Sequence, residues 1–296
     1  MSKQVDGQDD LILSGSFSGV CDGQWTEVRC ACPSEGSPPC PKIPWSEIAR
    51  ATSAWQVSHC LDQFFFIRKP PGLRLRFKTY SHIKDFDARL SQWLSDMTDN
   101  GAILTHVASI YEPEEHRFGG QIGMDIAHRN WTSDSAIVIK YECLNWSNRG
   151  SVPRVGLWVA FVNDLLQKTL DDKAEMWDVW CKLAKATSDL TSVDESVVEH
   201  YKSMARNLFE LPKGFWALLT SSTRSILAGA RESNNSTARA LKKASATGML
   251  TRGLRSWLCS NALFQANRWG LGLQINEWCA AIEAMTDSLD PDRDVV

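Results

Sequence analysis

The sequence lacks long apolar segments and a strong net charge, and these absences exclude two broad classes of protein. No apolar run in the 296 residues approaches the ~20 that a membrane-spanning helix needs, and the acidic start MSKQVDGQDD is unlike a signal peptide. Lys and Arg total 32 against 35 Asp and Glu, a net charge of −3 that gives no general attraction for a nucleic acid backbone. We therefore expect a cytoplasmic protein that binds neither membrane nor nucleic acid.

The motifs of nucleotide-binding, zinc-hydrolase and serine-hydrolase enzymes are also missing. The chain contains no G-x-x-x-x-G-K-[ST], G-x-G-x-x-G, H-E-x-x-H or G-x-S-x-G, and its six histidines show no metal-ligand spacing. Four cysteines cluster near the start, but their gaps of eight, one and seven residues do not fit a zinc site; they are Cys21, Cys30, Cys32 and Cys40. We expect no metal and no cofactor.

The composition that is present suits a globular domain, since 43% of residues are hydrophobic and 23% are charged. Residues 1–43 are polar and contain Pro38, Pro39 and Pro41, so we predict a flexible N-terminal arm before a single domain over residues 44–296. The predicted fold class is α+β, with a small mixed sheet at about residues 60–112 and a larger set of helices.

Alternation of apolar and charged residues predicts the first strands of the sheet. Gln63–Arg68 and Leu73–Phe77 flank a Lys-Pro-Pro-Gly turn and read as a strand pair. In the second strand, Arg74 and Arg76 lie on one face about 7 Å apart. Two guanidinium groups at that distance repel each other unless an anion or an acid lies between them. We expect a helix over Ile83–Met97, ended by Asn100-Gly101, and then a buried strand over Ile103–Tyr111.

The remainder of the chain is predicted to be helical. Residues 122–131 and 136–145 read as two short helices, with Ser133 or Asp134 as a cap between them. Asp134-Ser135 has a second interpretation, a contact within the site. Later apolar stripes predict further helices, interrupted by a polar loop over residues 232–236.

Two segments outside regular structure carry candidate site residues. The run from Tyr111 to Gly120 leaves the predicted sheet, and its Gly119-Gly120 pair permits close approach of a ligand to the backbone. Arg117 in this run has two interpretations, a site residue or a partner of a neighbouring glutamate. Near the end of the chain, Asn267-Arg268 can bind a carbonyl or a carboxylate, and the adjacent Trp269 can line a peptide groove.

Four segments, in this order, resemble the C-terminal domain of lantibiotic dehydratases, which also occurs alone as the thiopeptide-type bacteriocin biosynthesis protein. They read FFFIRKPPGLRLRF, YEPEEHRFGG, WTSDSAIV and NALFQANRWGL. The resemblance extends over roughly residues 45–280, and YEPE-x-x-R-x-GG is its most specific part. It implies a bacterial enzyme that modifies ribosomally made peptides. The family domain removes glutamate from glutamylated Ser or Thr, whereas the related pyridine synthases join two dehydroalanines by a formal [4+2] aza-cycloaddition and expel the leader peptide.

Departures from the family pattern distinguish these two branches. The eliminating enzymes have an acid/base histidine four residues before the Asn-Arg pair, where this chain has Leu263. Gln265 stands where a second histidine often lies, and Gly72 replaces the histidine before the LRLR run. Loss of a positioned base typically costs ~10²–10⁴ in rate. We therefore predict a pyridine synthase, which holds the peptide for cyclisation without that base.

The resemblance and its departures together imply roles for the site residues. Arg74, Arg76 and Arg117 would polarise amide carbonyls and stabilise developing negative charge. Tyr111 and Gln265 would serve the proton-transfer and dehydration steps. The implied substrate-binding residues are Asn267, Arg268, Trp269, Gly119 and Gly120.

Two alternatives to the synthase remain open. The chain is then either a stand-alone glutamate-eliminating subunit, with another residue replacing the missing histidine, or a non-catalytic domain that presents the leader peptide to other enzymes. In each case the expected partners are the modified precursor peptide, leader plus core, and other enzymes of the same pathway.

Overall fold

A four-stranded sheet positions the arginine pair. The computed structural model describes residues 25–36, 40–80, 85–150, 152–190, 193–209 and 217–292. The predicted α+β class is confirmed. The sheet has the order β4-β5-β1-β6, and every neighbouring pair is antiparallel, whereas a mixed sheet was predicted. Its strands are β1 (Trp25–Ala31), β4 (Leu61–Lys69), β5 (Gly72–Thr79) and β6 (Thr105–Ser109), and β2 (Ser34–Glu35) and β3 (Cys40–Pro41) form a separate pair.

Strand β1 lies in the segment that the sequence predicted to be a flexible arm. It occupies the sheet interior between β5 and β6, and Val28 and Cys30 are buried in the core. For residues 25–31 the structure therefore differs from the prediction, because two inward residues within a Ser-, Gly- and Pro-rich context gave too weak a strand signal. Residues 1–24, including Cys21, lie outside the described part of the chain.

The predicted strand at 103–111 is shorter and more exposed than expected. Strand β6 is an edge strand, and Val107 within it is 53% exposed while Ile110 beyond it is 85% exposed. An edge position explains the difference, since an apolar run is buried on both faces only inside a covered sheet.

One face of the sheet is apolar and packs against two helices, α1 (Trp45–Val57) and α2 (Phe86–Asp99). Phe77 of β5 contacts Trp55 of α1 and Phe86 of α2, with ring centroids 6.0 and 5.9 Å apart. The predicted end of α2 is confirmed, because Asn100 follows the last helical residue and Gly101 adopts a positive φ of 74°.

The helical half contains two helices that are longer than the sequence predicted. Helix α3 runs without a break through residues 133–134, and α8 runs through the predicted loop at 232–236. The polar residues there have tertiary partners instead of ending a helix: buried Asn234 donates to the carbonyl oxygen of Phe161 and to Asp164. The helices are α3 (Gln121–Glu142), α4 (Trp146–Arg149), α5 (Arg154–Thr169), α6 (Lys173–Thr187), α7 (Glu195–Phe209), α8 (Ser221–Ala246), α9 (Leu254–Trp269) and α10 (Ile275–Leu289).

Helices α3 and α9 lie against strand β4 and thereby join the helical half to the sheet. The backbone N–H of Phe66 donates to Ser135 Oγ of α3 at 3.3 Å. Further along the strand, the Asn267 side chain of α9 bonds the backbone of Arg68. Within the described ranges, none of the helices is both long and apolar enough to span a bilayer.

Candidate functional site

The arginine pair on β5 encloses a buried carboxylate. Glu27 of β1 lies opposite Arg76 in the sheet register, and its Oε2 accepts a hydrogen bond from Arg76 Nε at 2.7 Å. Arg74 Nη1 is 4.0 Å from Glu27 Oε1, and only 1% of Glu27 is exposed. Glu27 is thus the acid that the strand pattern required between Arg74 and Arg76. Sequence reasoning missed it because β1 was not recognised as a strand.

A tyrosine–histidine pair adjoins this cluster. The ring of Tyr111 lies 4.2 Å from the guanidinium carbon of Arg76, and its hydroxyl is 2.8 Å from His128 Nε2. Burial raises the pKa of Tyr111, against an opposing effect of Arg76. Burial, reinforced by the charges of Lys78 and Arg76, lowers the pKa of His128 to about 3. Both groups are therefore neutral near pH 7.

His128 is a site residue that was not predicted from the sequence. It comes from the middle of α3 and is 3% exposed. Its ring packs against Trp25 at 4.5 Å and stacks on Phe65 at 5.6 Å. Nothing in the local sequence signals this position, since the contacts come from β1 and β4.

A second buried carboxylate, Asp134 of α3, gathers three of the predicted site residues of α9. Its oxygens accept from Gln265 Nε2 at 2.9 Å, from Arg268 Nε and from Trp269 Nε1 at 3.2 Å. All four residues are buried. Of the two interpretations of Asp134, the helix cap is wrong and the contact is present, because its side chain pairs with α9 inside an unbroken helix.

Arg268 keeps further donor capacity inside the molecule. Its Nη1 and Nη2 atoms have no hydrogen-bond partner among the described residues, and burial lowers its pKa against the opposing charge of Asp134. The rings of Phe65 and Trp131, 5.0 Å apart, lie beside Arg76 and Arg268 respectively and link the two clusters.

Asn267 acts on the edge of the sheet. Its Oδ1 accepts from the backbone N–H of Arg68 and its Nδ2 donates to the Arg68 carbonyl oxygen, both at 2.9 Å. The amide thereby substitutes for a neighbouring strand. It also lines a pocket of about 300 Å³ together with Arg68, Gly270 and Leu273.

Arg117 lies apart from the other two arginines. Its Nη1 is 3.1 Å from Glu114, its Nε donates to Ser260 of α9 at 3.3 Å, and its side chain is 39% exposed. The expected pairing with a neighbouring glutamate is therefore present. Arg117 makes no described direct contact with Arg74 or Arg76, so the three guanidinium groups do not form one cluster. It lies over the ring of Phe264, which stacks on Trp131 at 4.7 Å.

The glycine pair before α3 shapes the chain around Arg117. Gly119 and Gly120 have φ values of 79° and 92°, which residues other than glycine rarely adopt. The Gly119 carbonyl oxygen accepts from Thr251 N at 3.0 Å, and a Cβ at Gly119 would lie 3.2 Å from Arg252 N. The close approach that these glycines permit is made here by another part of the chain.

The three residues that stand where the family has histidines are held in the packed interior or against it. A Cβ at Gly72 would lie 2.3 Å from the Cys30 carbonyl oxygen, so no larger side chain fits there. Leu263 packs against the hydrophobic core, and Gln265 is held by Asp134.

The cysteine segment has buried thiols rather than a metal-ligand geometry. Burial raises the pKa of Cys30 to about 12 and that of Cys32 to about 11, and Cys40 is exposed. In the part of the chain that the structure describes, His, Cys, Asp and Glu side chains form no group of three that could hold a metal ion.

Comparisons with solved structures show which known proteins share this fold. The fold matches the crystal structure of the tRNA dependent lantibiotic dehydratase MibB from Microbispora sp. 107891, with a TM-score of 0.66 and 15% identity over 93% of this chain and 29% of that one. It also matches the crystal structure of TsrL, with a TM-score of 0.56 and 14% identity over 93% of this chain and 97% of that one. The chain therefore spans less than a third of MibB.

A search of curated proteins finds no match. The model of the lantibiotic biosynthesis dehydratase C-terminal family matches residues 45–285, which is most of the chain. This match supports a role in lantibiotic-type peptide biosynthesis. The chain belongs to the lantibiotic dehydratase C-terminal family.

Proposed function

We propose that this protein is a cofactor-independent thiopeptide macrocyclase, a pyridine synthase acting on two dehydroalanines of a modified precursor peptide. The observation that carries the proposal is the neutral Tyr111–His128 pair beside Arg76. The family indicates the class of peptide, and Gly72, Leu263 and Gln265 provide no imidazole where the family has histidines.

The reaction first requires an amide to become an iminol. A proton leaves the amide nitrogen and another reaches the amide oxygen, which converts one dehydroalanine and its preceding amide into a 2-azadiene. Tyr111 and His128 can give one proton and accept another without either group carrying charge between turnovers. Two neutral hydrogen-bonded groups are suited to such a relay, since no isolated charge has to be buried.

The arginine pair would stabilise charge as it develops on oxygen. Glu27 engages Arg76 through Nε, so the Nη groups of Arg76 and the partly exposed Arg74 can bind amide carbonyl oxygens. Donors fixed before the reaction lower the barrier because they need no reorganisation. Holding the two dehydroalanines in contact contributes further, up to ~7–11 kcal/mol for well-oriented groups.

Two carbon–carbon bonds then close the six-membered ring, and aromatisation expels water and the leader peptide as its amide. Tyr111 is the proton donor for the departing hydroxyl. Gln265, Arg268 and Trp269 position α9 beneath the site through Asp134, and Asn267 would hold the peptide at the pocket beside Arg68. Arg117, Gly119 and Gly120 would contact the peptide where it extends over the outer end of α9.

Glutamate elimination is the second candidate, and His128 is the observation that favours it. An imidazole from α3 beside the arginine pair could replace the missing histidine. Against this, burial, reinforced by the charges of Lys78 and Arg76, lowers the pKa of His128 to about 3, so the imidazole is a poor base for holding a proton removed from carbon. In the relay His128 gives up one proton as it takes another and never has to carry the charge.

Mass spectrometry of the products formed from a synthetic peptide tests the proposal. Purified protein is incubated with a peptide that carries a leader and two dehydroalanines. We expect a cyclised product together with a free leader amide. An unchanged peptide would contradict the proposal; glutamate release from a glutamylated peptide would then identify an eliminase, and binding without reaction a scaffold.

A further inference from the structure

The carboxylate between the two arginines comes from the protein itself. Glu27 is 1% exposed, lies within 2.7 Å of Arg76 Nε and is 4.0 Å from Arg74 Nη1. Arg29 Nε adds a third contact at 3.4 Å. A buried carboxylate with several guanidinium partners satisfies the positive charge at that point of the sheet.

The position of Glu27 is fixed by the backbone and not by a flexible loop. Strand β1 pairs with β5 on one side and with β6 on the other, and the register places Glu27 directly opposite Arg76. Residues directly opposite in an antiparallel pair project from the same face of the sheet. The carboxylate cannot move away from the arginines without disrupting the centre of the sheet.

We infer that Glu27 fills the anion site of Arg74 and Arg76, so that this face accepts uncharged peptide amides and rejects the carboxylate of a glutamyl group. Glu27 is then a specificity-determining residue for the site, supplied by a strand outside the 45–285 segment that matches the family model. This inference rests on the proposed function for the identity of the accepted peptide, but the exclusion of carboxylates concerns only the arginine pair.

The physical reason is competition for the same donors. A substrate carboxylate approaching Arg76 would have to displace an internal carboxylate that is already desolvated and held in place. The internal group wins because its binding costs no translational freedom. An amide oxygen carries no net charge, so it can bind the remaining Nη donors without repulsion from Glu27.

Acetate serves as the probe in a thermal unfolding experiment on the full chain. The wild type, Glu27→Ala and the surface control Glu35→Ala are compared in sodium acetate and in sodium chloride at equal ionic strength and pH 7. Glu35 pairs with Lys42 in solvent, so its removal changes charge without opening a buried site. We expect acetate to raise the unfolding midpoint of Glu27→Ala alone, by about 2–4 °C, because it binds the vacated site.

Two outcomes would overturn the inference. A folded Glu27→Ala variant that responds to acetate like the control has no anion site to fill. A wild type whose unfolding midpoint rises to a plateau as acetate is added, beyond any general salt effect, has an open site. This result decides the question even where the variant does not fold. The thermal measurement uses no peptide, so a wild type that fails to cyclise peptide refutes the proposed function and leaves the role of Glu27 standing.

Discussion

At the scale of single residues, the protein shifts the pKa values of two neighbouring groups in opposite directions. Tyr111 stays a phenol because burial raises its pKa, and His128 stays a neutral imidazole because burial and nearby cations lower its pKa to about 3. Their 2.8 Å contact places both beside Arg76. This arrangement makes separate predictions for activity and for stability.

The Tyr111→Phe variant tests the proton-transfer role. It keeps the ring that packs against Arg76 and Trp25 but removes the hydroxyl. We expect the rate of product formation to fall by ~10²–10⁴ while peptide affinity changes little. Single-turnover kinetics followed by mass spectrometry measure this, with Tyr80→Phe, at an exposed tyrosine, as the matched control. Full activity in Tyr111→Phe would remove the phenol from the mechanism.

His128 predicts how stability depends on pH. Its pKa is about 3 in the folded state and ~6.5 when unfolded, so the unfolded chain binds more protons between these values. This contribution to stability is complete above pH 6.5 and is lost as the pH falls towards 3, with a limiting slope of about 1.4 kcal/mol per pH unit.

Urea unfolding at pH 7 and pH 5 measures that slope. His128→Phe retains an aromatic ring in the Trp25–Phe65 packing but cannot titrate. We expect the variant to lose less stability than the wild type between the two pH values. Equal losses would mean that His128 titrates normally in the folded protein.

At the scale of elements, the ion pair between Asp134 and Arg268 fixes α3 relative to α9. Asp134 and Arg268 are both buried, and each would be an isolated charge without the other. We expect Asp134→Asn to destabilise the protein by about 3–5 kcal/mol. The double variant Asp134→Asn/Arg268→Met should recover most of that loss, as urea unfolding would show. A double variant no more stable than Asp134→Asn would contradict this reading.

Replacing either of two helical glycines by alanine should change the stability of the protein in opposite directions. A Cβ at Gly123 of α3 would lie 1.7 Å from the Phe118 carbonyl oxygen, whereas one at Gly229 of α8 would meet no atom within 4 Å. Gly123→Ala should therefore be strongly destabilising. Gly229→Ala should stabilise by about 0.5–1 kcal/mol, because alanine favours a helix. Thermal unfolding of both variants checks the sign of each effect.

The same elements explain how far sequence reasoning reaches. Alternation in β5 was sufficient to place Arg74 and Arg76 on one face and to require an acid between them. The identity of that acid depended on a strand whose own pattern was weak, so Glu27 could not be named. Likewise, the local sequence could not decide between a helix cap and a contact for Asp134, because its partner Arg268 comes from a distant part of the chain.

At the scale of the whole molecule, the chain is a small antiparallel sheet joined to a helical half through β4. The two predicted sets of site residues occupy the two sides of that junction. Arg74, Arg76 and Tyr111 belong to the sheet side, and Gln265, Arg268 and Trp269 belong to the helical side. The rings of Phe65 and Trp131 connect them, and Arg117 borders this junction through Phe264, which stacks on Trp131.

The most direct test of the central claim presents the wild type with two versions of one precursor peptide in the same reaction. One version carries two dehydroalanines, and the other carries a glutamyl ester at one of those positions. We predict that the first is converted to a ring with release of the leader amide, while the ester is recovered intact. Loss of glutamate from the ester, with the bis-dehydroalanine peptide unchanged, would contradict the account.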